Sequence, residues 1–257
     1  MRDWLAHNAA AWDHAVETGV EWTMPVSRDA IARARKGELH LRLTPVRELP
    51  RAWLPESLEG VRVLCLAGSG GQQAPLLAAA GAHVDVLDLS PLQLARDREV
   101  AERESLRIAL HEGDMRDLSR FEDACFELVV HPCANLFVPS PVPVWRECAR
   151  VLRPGGTLLA GFVQPHTFLF DDEALSRGEL VVSHRLPYSD LEQLAPDALA
   201  AQCARRDPLV FGHTLEDQLG AQCDAGLAIV GLYEDRWPDE PVDDRIATFA
   251  ATRARKS

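Results

Sequence analysis

The chain has 257 residues, with 27 Lys+Arg against 39 Asp+Glu for a formal net charge of −12, and is 47% apolar and 26% charged. That mixture is far from the low-hydrophobicity signature of disorder and suits one large α/β domain, with or without an extra lobe. The acidic balance disfavours a non-specific nucleic-acid binder, which needs Lys and Arg to displace counterions, and disfavours an anionic membrane surface as partner.

No apolar run reaches the roughly 20 residues of a membrane span. The opening MRDWLAHNAAAWDHAVETG carries acids and lacks the apolar stretch of a signal peptide. Six cysteines (Cys65, Cys125, Cys133, Cys148, Cys203, Cys223) form no CxxC pair. They read as reduced thiols, and the expected compartment is the cytoplasm.

Residues 1–57 show no sustained strand pattern. A helix is expected over 8–20, and Ser27 caps a second running through Lys36. Four of the six tryptophans, Trp4, Trp12, Trp22 and Trp53, fall in this segment, which predicts that it packs onto the rest of the chain. From Val61 the pattern becomes α/β alternation. A strand over 61–66 ends in the glycine cluster Gly68, Gly70, Gly71, and a helix over 73–80 is closed by Gly81. A second strand spans 83–88, and Ser90-Pro91 starts a helix with a side-chain cap and a proline in the first turn.

Strands are expected at 107–111 and 126–130, a helix at 144–152 stopped by Arg153-Pro154-Gly155-Gly156, and a fifth strand at 157–162. Near-continuous apolar strands separated by helices imply a parallel sheet buried on both faces, with right-handed crossovers. Residues 164–212 break that rhythm and read as an insertion or cap. Thr214 and Asp217 then open a helix to about Asp224, and two last strands are expected at 227–233 and 246–252. The acidic stretch 234–244 and the basic stretch 28–51 read as solvated.

The chemistry concentrates in the first βαβ unit. Glycines at the carboxyl end of a first strand let a ligand approach the backbone, and Asp88 ends the second strand twenty residues after Gly68, where a carboxylate accepts from ribose hydroxyls. The pair points to an adenosine-containing ligand. A dinucleotide fingerprint needs a third glycine where Gln73 stands, and no Gly-Lys-Ser/Thr follows for a phosphate loop. His131 and Cys133 are an isolated pair without further ligands, so no metal is expected.

Residues 63–73 (VLCLAGSGGQQ), 85–95 (DVLDLSPLQLA), 113–118 (GDMRDL), 150–159 (RVLRPGGTLL) and 214–235 resemble, in order, the motifs of class I S-adenosylmethionine-dependent methyltransferases, and among them the bacterial methyltransferase type 11 group. The resemblance implies a doubly wound, mostly parallel seven-stranded sheet, Rossmann-like, with an antiparallel seventh strand. It implies S-adenosylmethionine as cofactor and S-adenosylhomocysteine as product. Ala67, Gly68, Ser69, Gly70 and Gly71 would line the methionine part. Asp88 would hold the ribose, Leu89 pack on the adenine, Asp114 accept from the adenine amino group, and Met115 donate from its backbone. His131 would place its carbonyl near the ammonium group. The family's acid in the first motif is Cys65 here, and two usual glycines are Ala67 and Ser69; Gln72 and Gln73 are the expected substitutes as polar partners.

Methyl transfer from a sulfonium is an in-line displacement that depends on near-attack positioning. The acceptor is expected beyond the fourth strand, at residues 131–137. His131, with an ordinary imidazole pKa near 6.5, is a candidate base or a backbone-positioning residue, and Asn135 would orient a hydroxyl or amine. His166 could reach the pocket, and His184 and Tyr188 in the insertion would shape the acceptor site, with Tyr188 a candidate catalytic group. The other histidines, His213 among them, show no partner spacing, and most are expected at the surface. Trp22, with Trp12, would close an N-terminal lid over cofactor and acceptor. The expected function is methyl transfer to a small molecule. A nicotinamide-dependent oxidoreductase and a non-catalytic adenosine-ligand sensor are the alternatives, and the sequence leaves the oligomeric state open.

Overall fold

The computed structural model describes residues 3–238 and 240–257; Met1 and Arg2 of the expected lid, and Asp239 of the acidic stretch, lie outside the described residues. Helix α1 (Trp4–Thr18) begins before the expected residue 8, because Asp3 accepts from the Ala6 N–H at 3.2 Å and caps an earlier turn. It ends where Gly19 turns left-handed at φ 72°. Ser27 caps α2 (Arg28–Ala34) by accepting from the Ala30 N–H.

Strands β1 (Arg62–Leu66), β2 (His83–Asp88), β3 (Ile108–Glu112), β4 (Phe126–His131) and β5 (Leu152–Val163) run parallel. Helices α3 (Gln73–Ala79), α4 (Pro91–Glu104) and α5 (Val142–Val151) occupy three of the connections. The segment after β5 holds short elements: α6 (Asp172–Ser176), a two-stranded ribbon of β6 (Tyr188–Ser189) and β7 (Phe211–Gly212), α7 (Asp190–Gln193) and α8 (Pro196–Arg205). Thr214 and Asp217 then exchange hydrogen bonds as a reciprocal cap, a π-helical turn follows (Glu216–Gly220), and α9 (Ala221–Asp224) leads into β8 (Leu227–Asp235) and β9 (Phe249–Lys256). The sheet order is β3-β2-β1-β4-β5-β9-β8, with β9 antiparallel to both neighbours.

Alternation along β1 explains the two cores. Val63 and Cys65 face the layer of α2 and α3, with Ile31, Leu41, Leu43 and Leu77; Leu64 and Leu66 face α5, with Trp145 and Phe126. Both sides are buried, as period-2 geometry requires of a covered parallel sheet. The four N-terminal tryptophans each meet an aromatic from elsewhere in the chain: Trp4 with Phe211, Trp12 with Phe137, Trp22 with Trp237 and Trp53 with Tyr233, at centroid distances of 5.0–5.9 Å.

Three expectations are corrected. The helix ends at Val151 as expected, but the fifth strand starts at Leu152 rather than Thr157: Leu152 already pairs with Phe126, Thr157 pairs with Leu128, and residues 153–156 bulge out of β5 between them. The last strand starts at Phe249, because Thr248 is held by Asp243, which accepts from its N–H at 2.8 Å and its hydroxyl at 2.6 Å. The acidic stretch is anchored rather than solvated. Asp235 accepts from the N–H groups of Val46 and Arg47 at 2.9 and 2.8 Å, and Val242 and Asp243 are buried.

Candidate active site

The loop after β1 turns on three left-handed residues, Ala67 (φ 50°), Ser69 (φ 63°) and Gly71 (φ 75°). Two of these are not glycine, and backbone strain of this kind concentrates at ligand-binding turns. The loop is fastened from behind: the Gly70 N–H donates to Gln93 Oε1 at 2.7 Å and the Gly71 N–H to Asp97 Oδ1 at 2.9 Å. A Cβ on Gly70 would stand 2.2 Å from the Gln93 carbonyl oxygen, so this glycine lets α4 approach the loop. Gly68, Gly70 and Gly71 accordingly sit behind the wall formed by Ala67, Ser69, Gln72 and Gln73.

That wall belongs to a cavity of about 480 Å³ at the carboxyl ends of β1, β2 and β4, the crevice where open parallel sheets take ligands. Asp88, Leu89, Asp114 and Met115 line one part of it. Asp88 Oδ1 accepts from the Ser90 N–H at 2.9 Å, and burial raises its carboxyl to about 6. Asp114 is already engaged: Arg116 Nε lies 2.9 Å from Oδ2, and the guanidinium stacks 4.6 Å above the Trp4 ring. Asp13, unforeseen in the sequence, reaches from α1 to accept from the Ser90 hydroxyl at 2.6 Å and the Leu92 N–H at 3.2 Å. This carboxylate complements the positive end of α4.

Aromatic residues from distant segments wall the rest: Trp12 and Trp22 before the sheet, Phe137 after β4, Phe168 after β5, and Trp237 and Phe249 from the C-terminal region. Arg42, Thr44 and Cys133 are among the residues that line it there. Burial and the nearby Asp235 push the Cys133 thiol well up, so it stays protonated. Asn8, buried on α1, fixes this wall by donating to the carbonyls of Phe137 and Leu209 at 3.1 and 3.0 Å and accepting from the Leu209 N–H at 2.8 Å. Asn8, Asp13, Arg42 and Trp237 carried no sequence signal, because each acts through contacts between remote segments.

His131 is corrected from candidate base to a buried structural group. Its ring is fully buried, with Nδ1 2.8 Å from the Leu66 carbonyl oxygen and Nε2 2.8 Å from the Asn135 side-chain amide. Burial holds its pKa below the ordinary value. Both ring nitrogens face oxygen atoms, Nδ1 the Leu66 carbonyl and Nε2 the Asn135 Oδ1, which leaves the Asn135 amide N–H to donate to Gln218 Oε1. Asn135 is buried too, and its amide contacts Gln218 at 3.2 Å. His213, one of the histidines expected mostly at the surface, is buried with Nε2 2.9 Å from the Asn135 carbonyl oxygen. Tyr188 is also corrected: it lies outside the cavity wall, buried, with its hydroxyl donating to Asp190 at 2.8 Å. His166 is turned toward the Ala247 carbonyl oxygen at 3.0 Å. Among the described residues no group of three or more His, Cys, Asp or Glu is placed to hold a metal, and no helix is long and apolar enough to cross a membrane.

The residues present fit an adenosylated amino acid. The strained loop faces the cavity, Asp88 stands where a ribose would bond, and Gln73 is buried beside them with Oε1 lacking any hydrogen-bond partner. Gln72 differs: its Nε2 donates to the carbonyls of Glu21 and Met24, both at 3.1 Å, and so holds the N-terminal segment.

A family model described as a methyltransferase domain matches residues 64–160. The chain is 47% identical over 256 residues to an uncharacterized methyltransferase, YbaJ, of Bacillus subtilis (strain 168), covering the whole of both chains. It is 32% identical over 104 residues to a ubiquinone biosynthesis O-methyltransferase of Xanthomonas campestris pv. campestris (strain B100), across 40% of this chain and 43% of that one. Among solved structures it is similar to an S-adenosylmethionine-dependent methyltransferase from Mesorhizobium loti, with a TM-score of 0.60 at 22% identity over 80% of this chain and 95% of that one. The chain belongs to the methyltransferase family and has the fold of its S-adenosylmethionine-dependent members.

Proposed function

We propose that the protein transfers a methyl group from S-adenosylmethionine to a small, largely apolar molecule carrying a nucleophilic heteroatom. The observation that carries this reading is a cavity of about 480 Å³ that joins Asp88, Leu89 and Asp114 to an aromatic wall of Trp12, Trp22, Phe137, Phe168 and Trp237. When bound, the donor supplies an activated methyl group on sulfur. The chain's part is positional: Asp88 and the loop fix the adenosine end, and the aromatic walls orient the acceptor for in-line attack. Trp22, packed 5.4 Å from Trp237, serves as a lid that excludes water from the reacting atoms. With both ring nitrogens of His131 committed, orientation and desolvation carry the chemistry rather than a histidine base.

The net charge of −12 supports a small acceptor over RNA. The absence of disulfide pairing among the cysteines is consistent with action in the cytoplasm. The nicotinamide alternative loses support from the antiparallel β9 and from Gln73 at the start of α3, where a dinucleotide fold leaves the helix open to a pyrophosphate.

Calorimetric titration with S-adenosylhomocysteine, with NAD as comparator and Asp88→Ala as control, tests the donor. Binding of the first ligand alone, weakened in the variant, is expected; preference for NAD would overturn it. Labelled methyl transfer to a panel of small phenols, thiols and amines, beside tRNA, tests the acceptor class. Label appearing only in tRNA would reject a small-molecule acceptor, and binding without transfer to any acceptor would favour a sensor.

A further inference from the structure

We infer that Gln72 is a positioning residue that couples the two halves of the cavity. It holds the Trp22 turn against the loop after β1, so that a methyl donor bound at that loop closes the acceptor wall. Resting on the donor reading above, this coupling adds a physical connection between the two binding events.

Residues 20–26, which carry Trp22, join α1 to α2 with little burial of their own. Val20, Glu21 and Met24 are exposed, and of the seven only Thr23 is fully buried. A stretch with so few apolar contacts opens at low cost unless polar bonds hold it. Its ends are pinned to helices: the Thr23 hydroxyl reaches the Ala15 carbonyl of α1 at 3.4 Å, and Arg103 of α4 donates to the Val26 carbonyl at 2.7 Å. Between these pins the holds come from the loop after β1. Gln72 Nε2 donates to the carbonyls of Glu21 and Met24, which bracket the single turn Glu21–Thr23. The Val26 N–H donates to the Gly71 carbonyl at 2.9 Å, and a Cβ on Gly71 would stand 3.0 Å from Pro25.

The same turn sets the acceptor wall, because Trp22 meets Trp237 edge to face at 5.4 Å and both line the cavity. Gln72 stands between the two halves. Its backbone N–H donates to the Ser69 carbonyl at 3.2 Å within the strained loop, while its side chain holds the turn. A ligand that touches both this loop and Trp22 makes more contacts when the turn is docked than when it is open. It therefore shifts the segment toward the docked arrangement, and docking raises the ligand's affinity by the same factor. Without the Gln72 bonds the loop and the turn are free to respond separately.

The test is amide hydrogen exchange of the wild type and Gln72→Glu, each with and without S-adenosylhomocysteine at a concentration that calorimetry shows to be saturating for that protein. Glutamate keeps the length of the side chain, but its carboxylate cannot donate to the two carbonyls. Gln72→Met, which fills similar space without a donor, is the second variant and carries the same expectation. In the wild type the ligand is expected to slow exchange across residues 20–26 about tenfold, and in either variant about twofold or less. Equal protection of 20–26 in wild type and variants would overturn the coupling, as would a wild-type segment that the ligand leaves unprotected. Faster exchange in the variants with an unchanged ligand effect would mean that Gln72 only shapes the segment, and would overturn it too. Wild-type protein that binds no S-adenosylhomocysteine by calorimetry overturns the donor reading, and this inference with it.

Discussion

The side chains of His131 and Asn135 meet at 2.8 Å in a fully buried site, and this contact joins the end of β4 to the C-terminal half of the chain. Asn135 reaches Gln218, the Gln218 carbonyl accepts from Gln222 at 2.8 Å, and Gln222 accepts from the Thr252 hydroxyl at 3.1 Å on β9. A polar chain of this kind, with each member partnered, fixes one arrangement of the core because any other leaves a buried group unpaired.

His131→Leu is therefore expected to lower stability by about 2–4 kcal/mol, since it strands both the Leu66 carbonyl and the Asn135 amide. Urea unfolding measures this. A variant that kept wild-type stability but lost methyl transfer would return His131 to a catalytic role.

The loop after β1 makes a prediction of the opposite sign. Ala67 holds φ at 50°, a conformation that costs a residue with a Cβ about 1–2 kcal/mol. Glycine loses part of that gain to its greater freedom when unfolded, so Ala67→Gly should stabilise by about 0.5–1 kcal/mol. Gly70→Ala is the contrast, because the new Cβ would meet the Gln93 carbonyl oxygen at 2.2 Å. It should destabilise by about 2–3 kcal/mol through overpacking. Equal melting temperatures for both variants would contradict the loop geometry.

These two sites show what the sequence could carry. The end of β1, the Ser90 cap and the Thr214–Asp217 cap were legible because local spacing determines them. Burial was not, so His131 read as either a base or a backbone-positioning residue, and nothing singled out His213 from histidines expected mostly at the surface. At residues 153–156 the local pattern gave the end of the helix, at Val151, but hid the start of β5 at Leu152, because the four residues form a bulge within the strand. The cavity was half legible. Asp88, Leu89, Asp114 and Met115 follow from strand ends, whereas Arg42 and Trp237 reach the wall only through the packing of remote segments.

Tyr188 offers a cleaner separation of structure from chemistry. Its hydroxyl donates to Asp190, whose other oxygen accepts from the Val210 N–H and the Gln202 amide, both at 2.7 Å. The group thus ties the β6–β7 ribbon together outside the cavity. Tyr188→Phe should cost about 1 kcal/mol of stability, the value of one buried hydrogen bond, and leave S-adenosylhomocysteine affinity unchanged by calorimetry. A large loss of affinity at unchanged stability would place Tyr188 in the site after all.

Asp97 gives the stability a pH dependence of definite sign. Burial raises its carboxyl from 3.8 to about 8, and the charge of Asp88 adds to the shift. A folded-state pKa above the unfolded value means that the folded chain keeps a proton the unfolded chain releases. The resulting stabilisation is complete below 3.8 and disappears as pH rises through 8. His131 and His213 act in the opposite sense, since burial lowers both; their stabilisation is lost as pH falls below about 6.5. Above about pH 8 the thiols of Cys65, Cys133 and Cys148, also raised by burial, act in the same sense as Asp97, so the window between about pH 6.5 and 7.5 isolates the buried carboxylate. There the wild type should lose on the order of 1 kcal/mol. Asp97→Asn keeps the acceptor that the Gly71 N–H uses at 2.9 Å but cannot titrate, so its stability should stay nearly flat there. Urea unfolding across that range reads both curves. Parallel curves for wild type and variant would mean that Asp97 is already ionised throughout the window and that another group sets the slope.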